Sequence, residues 1–186
     1  MGLNPGAGDV GAGADAGSAR SVRPAVAGDA PAIARIYSAG IEERIATFET
    51  RPRTADDVAA WFDGRHPIVV VEDGSTIAGF AATFAYRPRA CYEGVAEFSV
   101  YVAPGSRRRG VGRLAMEALA AEAARAGFWK LVSRVFTENT ASRDLLQALG
   151  FREVGVYERH GRLDGRWRDV VIVERLLAPA FEDEAG

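Results

Sequence analysis

Residues 97–125 constrain this chain more than any other run of its sequence. Glu97-Phe98-Ser99-Val100-Tyr101-Val102 alternates with period two and is rich in β-branched and aromatic residues, so it reads as a strand. Arg107-Arg108-Arg109-Gly110-Val111-Gly112-Arg113 follows as a basic, glycine-punctuated loop. It runs into an alanine- and leucine-rich helix from Leu114 to Arg125 that Gly127 stops. A strand, a glycine loop and a helix start in that order make an anion site, because unpaired backbone N–H groups and the positive end of the helix dipole converge there. Gly110 and Gly112 let the backbone approach a ligand, and the arginines add charge, so a phosphate or pyrophosphate is expected at the loop. Taken alone, three consecutive arginines also suit a solvated turn. The loop itself carries neither Gly-x-x-x-x-Gly-Lys-Ser/Thr nor Gly-x-Gly-x-x-Gly, the two commonest nucleotide-loop patterns.

The rest of the composition narrows the class. With 186 residues, 48% hydrophobic and 26% charged, the chain reads as one globular domain with a sizeable core. A net charge of −2 argues against general nucleic-acid binding, so the arginines act locally. Cys91 is the only cysteine and reads as a small buried hydrophobe rather than a nucleophile. His66 and His160 lie far apart beside turn residues and read as turn positions, and no metal is expected. With neither a secretory h-region nor an apolar run of membrane-spanning length, the expected location is cytoplasmic, with no membrane partner.

In chain order, residues 1–20 are glycine, alanine and aspartate with little to bury, and are expected to be a disordered extension. Val22 to Ala25 reads as a first strand. A first helix follows with Asp29 as N-cap and Pro31 in its first turn. A second helix starts at Thr54, with Asp57 at the capping-box spacing. Between them, residues 44–54 suit either ordinary surface or one wall of a substrate pocket. Ile68 to Tyr86, broken at Asp73-Gly74-Ser75, reads as a hairpin. A strand at 129–136 precedes a short helix capped by Asn139 and ended by Gly150. Strands at 151–156 and 167–177, joined by an Arg- and Gly-rich turn, come before an expected loose acidic tail at 178–186. The order is β-α-α-β-β-β-α-β-α-β-β, an α/β (α+β) domain over residues 21–177.

This order, with Arg107-x-x-Gly110-x-Gly112 and Asn139-x-x-Ser142 followed by Leu149-Gly150-Phe151, resembles the GNAT superfamily of N-acetyltransferases. Further stretches resemble the phosphinothricin and arsinothricin N-acetyltransferases: Thr47-Phe48-Glu49-Thr50-x-Pro52-x-Thr54, Arg87-x-Arg89-x-x-Tyr92, Ala96-Glu97-x-x-Val100-Tyr101-Val102 and Gly165-x-Trp167-x-Asp169-Val170. The resemblance implies a mixed, mostly antiparallel sheet flanked by helices and splayed at its central strands. It also implies acetyl-CoA as cosubstrate and a homodimer. By the same resemblance, Val100, Tyr101, Val102, residues 107–113, Asn139 and Ser142 would hold coenzyme A, with Val100 N–H near the oxyanion. Thr47, Phe48, Arg87, Arg89 and Tyr92 would hold an anionic, amino-acid-like substrate.

Acetyl transfer to an ammonium group needs a base, and Glu97 is the candidate. An otherwise apolar strand position would favour its neutral form, and Ser99 would share its face. Leu146 occupies the helix position after Asn139 where a proton donor to the thiolate could stand, so no general acid is assigned. The resulting expectation is an acetyl-CoA-dependent N-acetyltransferase of a toxic glutamate-like amino acid. Arsinothricin comes first, phosphinothricin second and methionine sulfoximine third. Acetylation of peptide or protein N-termini and a non-catalytic acyl-CoA sensor are the alternatives.

Overall fold

The computed structural model describes residues 20–177. The expected extension and tail lie outside these residues, except for Arg20, which donates to the Arg109 carbonyl at 2.8 Å. In order come β1 (Ser21–Pro24), α1 (Ala30–Glu42), α2 (Ala55–Ala59), β2 (Ile68–Asp73), β3 (Thr76–Ala85), β4 (Val95–Val102), α3 (Val111–Arg125), β5 (Lys130–Phe136), α4 (Thr140–Ala148), β6 (Arg152–Leu163) and β7 (Arg166–Leu176). This is the order expected from the sequence.

The strands form one sheet in the order β1-β2-β3-β4-β5-β7-β6. Every neighbouring pair is antiparallel except β4 and β5. Both faces are covered, which explains why β2 is a continuous apolar run rather than an alternating one. Val69 and Val71 face a core with Met116 and Leu119 of α3 and Leu146 and Leu149 around α4. Ile68 and Val70 face the opposite core with Ile33 and Ile36 of α1 and Val58 of α2.

The central feature is where pairing stops. β3 and β4 pair along nearly all of β4, from Gly79↔Val102 to Ala85↔Ala96. β4 and β5 pair only at Val95↔Lys130, Ala96↔Leu131 and Glu97↔Val132, after which β5 follows β7. From Phe98 to Val102, β4 therefore has a partner on one side only. This is the splay expected at the central strands.

Several local readings need correction. Thr54 and Asp57 form the expected reciprocal cap, each side chain accepting from the other's backbone N–H. Asp29 precedes α1, but its carboxylate makes no cap there; it accepts from Val26 N–H at 2.8 Å and takes both Arg23 guanidinium nitrogens at 2.7 and 3.0 Å. β6 runs on to Leu163, through residues expected to be a turn. Asp164 and Gly165, both at positive φ, supply a two-residue turn, and bulges near Gly155 and before Gly161 keep the register with β7. Cys91 is exposed rather than buried, because it lies in a short 3-10 turn between β3 and β4 that buries none of its residues.

Arg23 also donates to Glu72 at 2.9 Å, so one guanidinium ties β1, the turn into α1 and β2 together. The Arg23 hydrogen bond, with help from Val26 N–H and against the cost of burial, holds the Asp29 carboxyl below its ordinary value. A carboxyl with a lowered native pKa stabilises fully above its unfolded value and loses that contribution as pH falls through the folded one. Asp29→Asn should therefore cost about 2 kcal/mol at neutral pH. The difference from wild type should shrink steadily below about pH 4, measured by urea unfolding across pH.

Candidate active site

The unpaired half of β4 opens a groove of about 570 Å³. Ala103 N–H bonds Ala78 on β3, while Gly94 C=O accepts from Trp129 and Lys130 at the start of β5. Backbone groups alternate sides along a strand, so those of Val100 and Val102 point away from β3 into the splay, where β5 no longer meets them. These two residues thus offer N–H and C=O groups to an extended ligand arm taking the place of a strand.

The far end of the groove is the start of α3. Gly110 is the N-cap residue at φ 83, a conformation glycine adopts without strain. The helix opens at Val111, earlier than the sequence suggested, so Gly112 and Arg113 lie in its first turn rather than in a loop. A Cβ on Gly112 would stand 3.0 Å from Leu145 Cδ2 of α4, so the missing side chain lets the start of α3 approach α4 this closely. Arg107, Arg108 and Arg113 line this end; Arg107 pairs with Glu43 at 2.8 Å. Arg109 does not line it. Its guanidinium turns to Asp73 on the β2–β3 hairpin, 3.1 Å away. On the other wall, Asn139 caps α4 by accepting from Ser142 N–H at 3.2 Å and donates to the Ile45 carbonyl at 3.1 Å. One amide therefore holds both the helix start and the loop after α1.

A second pocket, of about 580 Å³, lies on the other side of β4. Glu97, Ser99 and Tyr101 alternate onto this face. Tyr37, Trp61 and Phe84 give it aromatic walls, while Thr47, Phe48, Glu49 and Arg53 come from the loop after α1. That loop is thus a pocket wall, one of the two readings its sequence allowed. Phe48 packs edge-on against Phe136 at 4.8 Å. Burial and the neighbouring Tyr37 push the Tyr101 phenol well above its ordinary value, which keeps it protonated beside Thr47. Tyr101 also lines the groove, and a small cavity bordered by Ser99, Val100, Ser133, Arg134 and Asn139 joins the two spaces.

Glu97 is not set in apolar surroundings, as its strand position suggested. Its carboxylate accepts from Arg134 of β5, and the two side chains are 29% and 43% exposed. Arg87, Arg89 and Tyr92 are not among the residues lining the pocket. They sit in the β3–β4 connection, beginning three residues beyond Phe84, with the Arg87 guanidinium over the Tyr86 ring at 5.3 Å. Ser133, Arg134 and His160 also line the pocket, and no sequence pattern pointed to them. His160 reached the pocket from β6 through the bulge before Gly161, which no sequence pattern marks. Among the described residues no cluster of His, Cys, Asp or Glu could hold a metal ion, and no helix is long and apolar enough to cross a membrane.

The groove fits coenzyme A. It has an unpaired strand edge for the amide-bearing arm and an arginine-lined helix start for phosphate groups. Comparison with known proteins agrees. Residues 34–151 match the model of the acetyltransferase (GNAT) family. Over 163 residues the chain is 34% identical to a phosphinothricin N-acetyltransferase of Streptomyces coelicolor, covering 84% of this chain and 95% of that one. It is 32% identical to an L-methionine sulfoximine/L-methionine sulfone acetyltransferase of Pseudomonas paraeruginosa, covering 86% and 95%. A crystal structure of a phosphinothricin acetyltransferase from Sinorhizobium meliloti in complex with acetyl-CoA superposes with a TM-score of 0.79 at 29% identity, covering 85% of this chain and 88% of that one. The chain belongs to the GNAT acetyltransferase family and is an N-acetyltransferase that uses acetyl-CoA.

The tight approach at Gly112 gives a direct check of the groove. Gly112→Val should weaken acetyl-CoA binding by about tenfold or more in calorimetry, about 1.4 kcal/mol, while leaving the far-ultraviolet circular dichroism unchanged.

Proposed function

We propose that the protein acetylates the α-amino group of a toxic glutamate-like amino acid, with Glu97 as general base. Arsinothricin is the first candidate substrate, phosphinothricin the second and methionine sulfoximine the third. The observation that carries this reading is the pocket beside Glu97. It is walled by aromatic rings, holds ionised groups of both signs and joins the acetyl-CoA groove through the cavity at Ser99 and Val100. That combination suits a small zwitterion. The relatives named for phosphinothricin and methionine sulfoximine support the same class.

Acetyl-CoA supplies an activated acetyl carbonyl, and the protein's part is to deliver a neutral amine to it. Glu97 takes one proton from the substrate ammonium, directly or through one water, which frees the nitrogen lone pair for attack. The nitrogen–carbon bond forms as the carbon–sulfur bond breaks; the nitrogen then gives up its second proton to solvent, and the departing thiolate collects a proton from solvent. Val100 N–H, aimed into the splay, is the donor available to the oxygen that gains charge. Arg87 and Arg89, in the connection that begins three residues beyond the pocket residue Phe84, are the guanidiniums proposed for the distal anion of the substrate, with Tyr92 in the same segment. Acetylation removes the ammonium charge that lets such a mimic occupy a glutamate site. A peptide or protein N-terminus is a less suitable acceptor, since the pocket carries a guanidinium for each carboxylate rather than the acidic lining a cationic N-terminus favours. A non-catalytic sensor would have no use for Glu97.

We also read the protein as a homodimer. β6 is an edge strand on which Val154, Val156 and Tyr157 are about half exposed, with Trp167 of β7 similarly open. A second copy is the partner that would cover this face.

Free-thiol release from acetyl-CoA should occur with arsinothricin, phosphinothricin and methionine sulfoximine and be weak with glutamate. Glu97→Gln should lower kcat by about 100-fold or more while acetyl-CoA still binds. Absence of thiol release with every one of these compounds would sink the substrate assignment. Sedimentation should show a dimer that Val156→Asp shifts toward monomer; a wild-type monomer at micromolar concentration would refute the dimer reading.

A further inference from the structure

Arg134 stands two residues past Val132, the last β5 residue paired with β4, and alternation puts it on the face that carries Glu97. It lines both the pocket and the small cavity that leads to Val100. Its one ion-pair partner among the described residues is Glu97. A half-exposed pair of this kind adds little to stability, so stability alone gives the pocket no reason to hold a guanidinium against its base. A second pair, Arg53 with Glu49 at 2.7 Å, lines the same pocket. The ionised side chains there are thus matched, two carboxylates to two guanidiniums.

We propose that Arg134 binds the α-carboxylate of the acceptor, so that the Glu97–Arg134 pair receives the head group of a free α-amino acid. In such a molecule the ammonium and the carboxylate are separated by a single carbon. A carboxylate and a guanidinium in contact present the opposite signs side by side. On binding, the ion pair is exchanged for two: substrate carboxylate with Arg134, substrate ammonium with Glu97. The head group itself brings no net charge, and a planar guanidinium meets a planar carboxylate with two parallel hydrogen bonds. The exchange also frees Glu97 for the proton it has to accept. An amine without the adjacent carboxylate leaves Arg134 on Glu97, so the base is released by the correct substrate. A peptide N-terminus presents a neutral amide at that place and forgoes the exchange. This inference rests on the reading of the acceptor as an amino acid, and it adds the residue that selects free amino acids over peptides.

The test uses L-methionine sulfone and its α-carboxamide, because the sulfone carries no distal charge and the α-carboxylate is then the only anion. Rates of thiol release are measured for wild type, Arg134→Gln and Arg134→Lys, with acetyl-CoA binding by calorimetry as the check on folding. Wild type should favour the acid over the carboxamide by about 30-fold in kcat/KM, the range expected for a hydrogen bond between charged groups. Arg134→Gln should bring that ratio close to one, mainly by raising KM for the acid, and Arg134→Lys should keep part of it. A ratio unchanged in Arg134→Gln, or in Arg134→Lys should the glutamine variant fail to bind acetyl-CoA, overturns the role of Arg134 while leaving the amino-acid reading intact. Wild type that acetylates neither compound, nor any other free amino acid, overturns both together.

Discussion

The early end of pairing between β4 and β5 is the constraint on which the site depends. These two strands are the only parallel neighbours in the sheet, and they stay together for three residue pairs before β5 commits to β7. In sheets of this kind, ligands bind where parallel strands part at their carboxyl ends. Here the parting exposes the backbone of Val100 and Val102 on one side of β4 without unfolding it, because β3 still holds the other side. An unpaired buried strand edge is costly, and a ligand with amides of its own is a natural way to satisfy it. The starts of α3 and α4 flank the opening, so the same divergence that exposes the strand aims two helix N-termini at it.

β4 then separates the two halves of the reaction. Its odd-numbered side chains, Glu97, Ser99 and Tyr101, turn toward α1 and α2, while its even-numbered backbone groups turn into the splay. Strand geometry alone therefore puts Glu97, the proposed base, and the Val100 N–H, the proposed oxyanion donor, on different sides of β4. Tyr101 bridges the two spaces. Its ring packs on Tyr37 at 4.6 Å and stacks on Phe80 at 5.6 Å, which fixes it on a rigid aromatic base rather than a mobile loop.

Features carried by local chemistry were legible in the sequence. The period-two run at 97–102, the Thr54–Asp57 box and the Asn139 cap each depend on neighbours a few residues away, and each is found where expected; Gly110 keeps its place before α3, while Gly112 falls inside its first turn. Features set by distant partners were not legible. Arg109 reads the same as Arg107 and Arg108, yet Asp73 from a hairpin far along the chain draws it out of the groove. Asp29 has the form of a helix cap, but Arg23 and Glu72 recruit it into a network across two strands. Glu97 seemed to lie among apolar residues because its real neighbour, Arg134, is 37 positions away. His160 and the full length of β6 depend on bulges, which take their register from β7 and not from their own residues.

The charged groups around the acceptor pocket illustrate why those long-range contacts carry function. An arginine in water is strongly hydrated, and one buried without a partner is costly, so a pocket that must recognise anions has to keep its guanidiniums occupied in the meantime. Pairing each with a carboxylate achieves this at small net energy when both groups remain partly exposed, as Glu97 and Arg134 do. The same modest energy makes the pairs easy to exchange. A ligand that brings both signs replaces one contact with two, whereas a ligand that brings a single charge leaves one member unpaired. The proposed exchange thus favours zwitterions through the arrangement of the pocket's own ion pairs, before any fit to the remainder of the substrate is considered.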